Sequence, residues 1–292
     1  MMSDTHMVSF AHIVNPVAVQ ETSHLHVAQP ITFESMRVAR RMAQDHVAVR
    51  QLVTCYAEDG PAAPPDFEQA GLLDRSVMDL VPLTEPRKLP LLRDILDRLH
   101  AASDGCTHLI YTNVDVSLMP TFYSTVALLI SRGHEALAIN RRTIDDQYRS
   151  PDDLPLMYAE PGRPHAGHDC FVFPRAAYPR FQLGRSCLGV PPVGKILLLN
   201  LAAFAPGFQV FEEMHATFHA GDHEFWRRDE LTTLGDFNHA EAEAVLDTLE
   251  REVHVHERGA EFARWSRRTR RYLEKRSTQR GGPSPLRAER HS

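Results

Sequence analysis

An apolar strand that runs straight into oxygen-bearing side chains, followed by a proline and a helix, is the feature that most constrains this chain. It lies at residues 107–123, T-H-L-I-Y-T-N-V-D-V-S-L-M-P-T-F-Y. The stretch 88–140 around it alternates by period. Leu92, Ile95, Leu96 and Leu99 recur at helical spacing, and Ser103, Asp104 and Gly105 stop that helix. Leu109 to Thr112 then reads as a strand, Pro120 opens a helix that ends at Gly133, and Ala136 to Asn140 reads as the next strand. Helix–strand–loop–helix–strand is the signature of an α/β sheet.

Ligands of open α/β sheets bind at the carboxyl ends of strands. Strand side chains alternate, so an apolar strand that ends in Asn-x-Asp places the Asn113 and Asp115 side chains on one side. The pair would then suit a hard divalent cation, which takes oxygen ligands. The same residues equally suit a turn that caps the helix after Pro120.

Elsewhere the pattern predicts a first strand within 7–20, a helix from Pro30 to Ala43, a second strand from Val47 to Tyr56 and a short third strand within 77–83. Further along it predicts a strand over Cys170–Phe173, a buried helix over Lys195–Phe204 and a helix over Ala240–Leu249. Phe262, Trp265, Tyr272 and Leu273 form an apolar stripe on a basic C-terminal helix. Gly184, Gly189 and Gly194 around Pro191 and Pro192 match no phosphate-binding motif and read as a rigid turn.

The 107–123 stretch resembles the acidic-motif region of GT-A type glycosyltransferases, where a strand end carries Asp-x-Asp and a proline and helix follow. The layout of residues 7–225 is similar to that family as well. The resemblance implies a GT-A-like, Rossmann-like α/β domain with a mixed central sheet flanked by helices and a C-terminal helical extension. It implies residues 1–250 as the catalytic domain, while the apolar stripe makes 251–276 a basic amphipathic helix and the composition of 277–292 makes it a disordered tail. It further implies a nucleotide-diphosphate sugar as donor, an acceptor the sequence does not name, and Mn²⁺ or Mg²⁺ as cofactor. Asp115 stands where the family has its metal-contacting second aspartate, and Asn113 replaces the first.

Two more clusters carry candidate chemistry. In P-H-A-G-H-D-C, residues 164–170, Asp169 holds the place of an inverting transferase's base, and His168 has a side chain suited to the same task near neutral pH. In H-A-T-F-H-A-G-D-H, residues 215–223, His215 and His219 stand four apart, on one face if that segment is a helix. The family often supplies a late histidine to the metal, which implies a role for His219 or His215. Arg141 and Arg142 follow a strand end and suit diphosphate, and Lys88 with Arg87 precedes a helix within reach of a nucleotide in this scheme. Two other readings use the same residues. One is a zinc-dependent hydrolase built on His215, His219, Asp222 and Asp169, and the other is a non-catalytic nucleotide-sugar-binding protein on a degenerate scaffold.

Charge is uneven along the 292 residues. Residues 251–292 hold 12 Lys/Arg against 5 Asp/Glu, a local +7, in a chain of net charge −6. The rest therefore carries −13, which argues against a dedicated nucleic-acid binder and leaves the basic end free to meet phosphate or an acidic partner. The four cysteines form no CxxC pair. No apolar run approaches the roughly 20 residues needed to span a bilayer, so the expected location is cytoplasmic.

Overall fold

The computed structural model describes residues 8–165, 167–222, 231–253 and 255–279. By contact the chain divides into two compact units. The first gathers the described residues of Met1–Leu73, Ile95–Tyr178 and Pro206–His223, and the second those of Asp74–Asp94, Pro179–Ala205 and Glu224–Ser292.

The first unit is built on a seven-stranded sheet. Its strands are β1 (Ser9–Val14), β2 (Ala48–Cys55), β3 (Glu68–Leu72), β4 (His108–Thr112), β6 (Ala136–Ile139), β9 (Cys170–Pro174) and β10 (Phe208–Phe211). Their order is β10-β6-β9-β4-β1-β2-β3. β1 pairs in parallel with β2 and with β4, and β2 in parallel with β3. β9 runs antiparallel to both of its neighbours, β4 and β6. The sheet is mixed and flanked by helices, as expected. After β1 the chain builds outward on one side through β2 and β3, then returns to place β4 on the other side. In open α/β sheets such a reversal marks the place, at the strands' carboxyl ends, where ligands bind.

Burial on both faces explains the near-continuous apolar runs in β1 and β4. Phe10, Ile13, Val14, Leu109 and Ile110 have no solvent exposure. Helix α1 (His24–Ala43) lies on this sheet through Phe33, Met36, Ala39 and Ala43. Ile31, also on α1, packs into a second cluster with Ile144, Leu154, Met157 and Phe218. Helices α2 (Leu92–Ala102) and α3 (Phe122–Ser131) follow the periodicity read from the sequence. Gly133 at φ +91° ends the chain's turn after α3, a conformation open to glycine without a Cβ clash.

A four-stranded sheet completes the first unit: β5 (Ser117–Leu118), β7 (Arg142–Ile144), β8 (Arg163–Pro164) and β11 (Thr217–Ala220), in the order β5-β11-β7-β8. Short helix α4 (Leu154–Ala159) lies in the loop between β7 and β8. Gly162 at φ +56° serves a close approach there, since a Cβ would stand 2.6 Å from the Thr143 carbonyl oxygen.

The second unit is helical, with α5 (Val193–Phe204), α6 (Thr232–Glu252) and α7 (Val255–Gln279). Val77, Val81, Leu91, Cys187, Val190, Leu234 and Phe237 form its small core. Asn238 has no exposure and knits the core together. Its side chain accepts from the Cys187 N–H at 2.9 Å and donates to the Cys187 and Val190 carbonyls, both at 2.8 Å. On α7, Phe262, Trp265 and Leu273 are buried, as the apolar stripe predicts. The helix extends to Gln279, three residues into the segment read as a tail, and residues 280–292 lie outside the described residues.

Three local expectations are corrected. The segment 77–79 is a single 3₁₀ turn, and the third strand is Glu68–Leu72, whose polar sequence hid it. Helix α1 begins six residues before Pro30, because Ser23 caps it by accepting from the Leu25 N–H at 3.3 Å. Residues 215–219 form no helix, since β11 occupies 217–220.

Candidate functional site

Strand β4 stops at Thr112 because the next four residues turn. The Val116 N–H donates to the Asn113 carbonyl at 3.2 Å, so Asn113 and Asp115 are not alternating strand residues and their side chains take different partners. Tyr111 O–H donates to Asn113 Oδ1 at 2.9 Å, and Asn113 Nδ2 donates to Asp169 Oδ1 at 3.4 Å. Because a buried phenol at neutral pH donates its proton, it fixes which end of the Asn113 amide faces Asp169.

Asp115 faces two histidines. His219 Nε2 lies 3.2 Å from Asp115 Oδ2, and His24 Nε2 lies 3.6 Å from the same oxygen. His24, Asp115 and His219 are the one group of three His, Cys, Asp or Glu side chains among the described residues whose donor atoms all fall within 4.8 Å of one another. Burial works against the Asp115 charge, but His219, His24 and Arg141 outweigh it and hold the carboxyl well below its usual range.

Each member arrives by a separate route. His24 is the first residue of α1, placed by the Ser23 cap. The α1 hydroxyls anchor the segment after Asp115, with Thr32 Oγ1 3.2 Å from Ser117 Oγ and the Leu118 N–H donating to Ser35 Oγ at 2.9 Å. His219 enters on β11, which pairs antiparallel with β5 through Thr217–Leu118 and Phe218–Ser117 and so lies alongside the Asp115 turn.

The His219 ring is oriented by its other nitrogen. Nδ1 lies 2.9 Å from the Gly221 carbonyl oxygen, which can only accept, so Nδ1 carries a proton. In the neutral ring the Nε2 lone pair then points at the Asp115 carboxylate, and two acceptors oppose each other at 3.2 Å. A proton on Nε2 or a cation between the groups resolves this conflict. A histidine whose far nitrogen donates to a carbonyl is a common arrangement in metal sites. Two imidazoles and one carboxylate suit a transition metal such as Mn²⁺ or Zn²⁺ better than Mg²⁺, which prefers oxygen.

Beside the trio lies a second polar group. Arg141, 7% exposed, donates through Nη1 to Asp169 Oδ2 at 2.5 Å. Its Nε is buried and without a hydrogen-bond partner among the described residues. His165 belongs to the same neighbourhood: burial lowers its pKa, and Arg141 and His219 lower it further against the pull of Asp169 and Asp222.

Asn113, Asp115, Arg141, Asp169 and His219 thus come together, and the sequence had singled out each of them. His168 is half-buried next to Asp169 in the chain. His215 stands outside the trio, with a buried Nε2 that has no hydrogen-bond partner among the described residues. The i, i+4 argument fails for it because residues 215–216 form a turn and His219 lies on β11, so no helical face carries both histidines. Arg142 is turned to structure: its guanidinium donates to the Pro161 carbonyl and, at 2.7 Å, to the Gly162 carbonyl. Lys88 is exposed on the segment before α2, in the second unit. Asp222 pairs with Arg163 at 3.2 Å, so the hydrolase donor set is not gathered among the described residues. His223 lies outside them. His24 was missed because Pro30 drew the helix start downstream, although Ser23 offered the capping signal.

No protein-family model matches the chain, and no curated protein matches it in sequence. Solved structures do resemble it. Staphylococcus aureus TarS residues 1–349, in complex with UDP-GlcNAc, aligns over 88% of this chain and 72% of its own, with a TM-score of 0.52 at 8% identity. The same TarS fragment alone gives 0.50 at 7% identity, over 88% of this chain and 71% of that one. The fold is GT-A-like. At these identities the likeness speaks for the fold alone, and the chemistry rests on the residues at the β4 end.

Proposed function

We propose that this protein is a glycosyltransferase that moves a sugar from a nucleotide-diphosphate donor to an acceptor hydroxyl with the help of a divalent cation. The observation that carries the reading is the His24–Asp115–His219 trio at the carboxyl end of β4, beside the switch in strand order. TarS, whose fold is similar, is a structure in complex with UDP-GlcNAc.

In this reading Asp115, His219 and His24 hold the cation, and their mixed nitrogen and oxygen character favours Mn²⁺ over Mg²⁺. When bound, the cation supplies positive charge against the diphosphate leaving group. Arg141 adds a fixed guanidinium beside it, whose positive charge favours the diphosphate. Asp169, 17% exposed, is aimed by Arg141 and Asn113 and accepts the proton of the acceptor hydroxyl, so the reaction inverts the anomeric centre. His168, next in the chain, is the alternative base.

The test is a thermal-shift screen of nucleoside diphosphates and their sugars, with and without Mn²⁺, followed by turnover of whichever donor stabilises the protein. A nucleotide shift that needs Mn²⁺ and disappears in Asp115→Ala supports the reading. A purified protein that holds zinc tightly and shows no nucleotide shift overturns it.

A further inference from the structure

Helix α7 carries a second feature, remote in sequence from the transfer site. Arg264, Arg267, Arg268, Arg271 and Lys275 are all exposed. They stand at i, i+3, i+4, i+7 and i+11, which at about 100° per residue confines them to an arc of roughly 100° and a length of roughly 16 Å. The opposite face is buried through Phe262, Trp265, Thr269 and Leu273.

Arg270, on the flank, reaches Asp247 at 2.9 Å and Glu250 at 2.6 Å on α6. Acidic residues border the stripe without interrupting it. Glu261 accepts from the Trp265 indole N–H at 2.7 Å and stands 3.8 Å from Arg264, and Glu274 lies on the far edge. Arg264 and Arg268 lie over the Trp265 ring, at 5.6 and 4.6 Å from its centroid, so their stems close the apolar core while their charges stay outside.

We propose that this face of α7 docks the protein on an anionic lipid surface through phosphate headgroups. Four of the five residues are arginines, whose planar fork matches phosphate oxygens. A line of four to eight such residues on one helix face is the pattern that binds acidic lipids. Among the described residues, no exposed large hydrophobic side chain lies on α7, which makes the contact electrostatic. A nucleic acid long enough to leave the stripe meets a remainder of the chain carrying −13, Phe262 and Trp265 are buried, and the half-buried Tyr272 ring is covered by the Lys195 ammonium, 4.5 Å from its centroid. The proposal is independent of the transfer reaction.

The test is co-sedimentation of the full chain with vesicles of phosphatidylcholine alone, and with phosphatidylglycerol added at one part to two. The triple variant Arg264→Gln, Arg267→Gln, Arg271→Gln is compared after its melting temperature is checked against wild type. The wild type binds only the acidic vesicles and is released by salt. The variant's partition coefficient falls by about a hundredfold, at about fivefold for each charge. Equal binding to neutral vesicles, or a folded variant that binds as wild type does, overturns the proposal. So does binding of duplex DNA or polyphosphate without binding of acidic vesicles, which would assign the stripe to a soluble polyanion.

Discussion

His219 Nε2 stands 3.2 Å from Asp115 Oδ2 across 104 residues of sequence. The pairing of β11 with β5 closes that distance, and the Gly221 carbonyl fixes which nitrogen faces the carboxylate. The contact joins a carboxylate to an imidazole whose lone pair, in the neutral ring, points at it. A proton on Nε2 or a bound cation relieves that opposition.

Mn²⁺ is therefore expected to raise the melting temperature of the wild type. A site-specific cation at a hundred times its Kd stabilises by about 2.7 kcal/mol. Asp115→Ala and His219→Ala should remove most of that shift, and His24→Ala should reduce it. Protons compete for both histidine nitrogens, so the shift should shrink on acidification. A Mn²⁺ response that survives in folded Asp115→Ala would sink the site.

Asn113 donates to Asp169, and an aspartate in its place would set one carboxylate against another. Asn113→Asp should cost about 1–2 kcal/mol at pH 7.5. The repulsion raises the pKa of the acidic pair in the folded state, so the penalty is present above that pKa and is relieved as pH falls and the pair takes a proton. Urea unfolding at pH 7.5 and pH 5 checks this. A gap between variant and wild type that does not narrow at pH 5 contradicts it.

His12 is fully buried between the Tyr123 hydroxyl and Thr112 Oγ1, each 2.9 Å away, and burial lowers its pKa to about 3. The unfolded chain takes up this proton near pH 6.5 while the folded chain refuses it. Stability from the neutral ring is present above pH 6.5 and is lost as pH falls towards 3, at up to about 1.4 kcal/mol per unit. His108, lowered by burial to about 4, acts in the same direction. His12→Gln should flatten the acid slope by about one proton between pH 6 and pH 4.5. An unchanged slope in denaturant titrations refutes the assignment.

Asn238→Ala should strand the Cys187 N–H and two carbonyls in the core of the second unit. The expected loss is about 2–4 kcal/mol, read from chemical denaturation. Asn238→Asp keeps the acceptor but loses both donors, and is expected to lie no closer to wild type than Ala does at pH 7.

Period and composition were enough for the alternation of strands and helices from 88 to 140, because each of those segments buries a face with its own rhythm. Leu92, Ile95, Leu96 and Leu99 are all fully buried, as their spacing required. The GT-A-like layout was legible through a family resemblance, and Asp115 drew notice because a polar pair at the end of an apolar strand is a local signal. Strand β3 was not legible, since an edge strand with mostly exposed residues has no buried face to pattern it. Nor was the polar network, in which Asn113 turned to Tyr111 and Asp169 while Asp115 turned to His24 and His219. Tyr111 is local, but His24 comes from α1, Asp169 from the loop just before β9 and His219 from β11, and only strand pairing and the Ser23 cap bring them to one place. A side chain's rhythm along the chain reports what it buries locally. Its partner from a hundred residues away is chosen by the sheet.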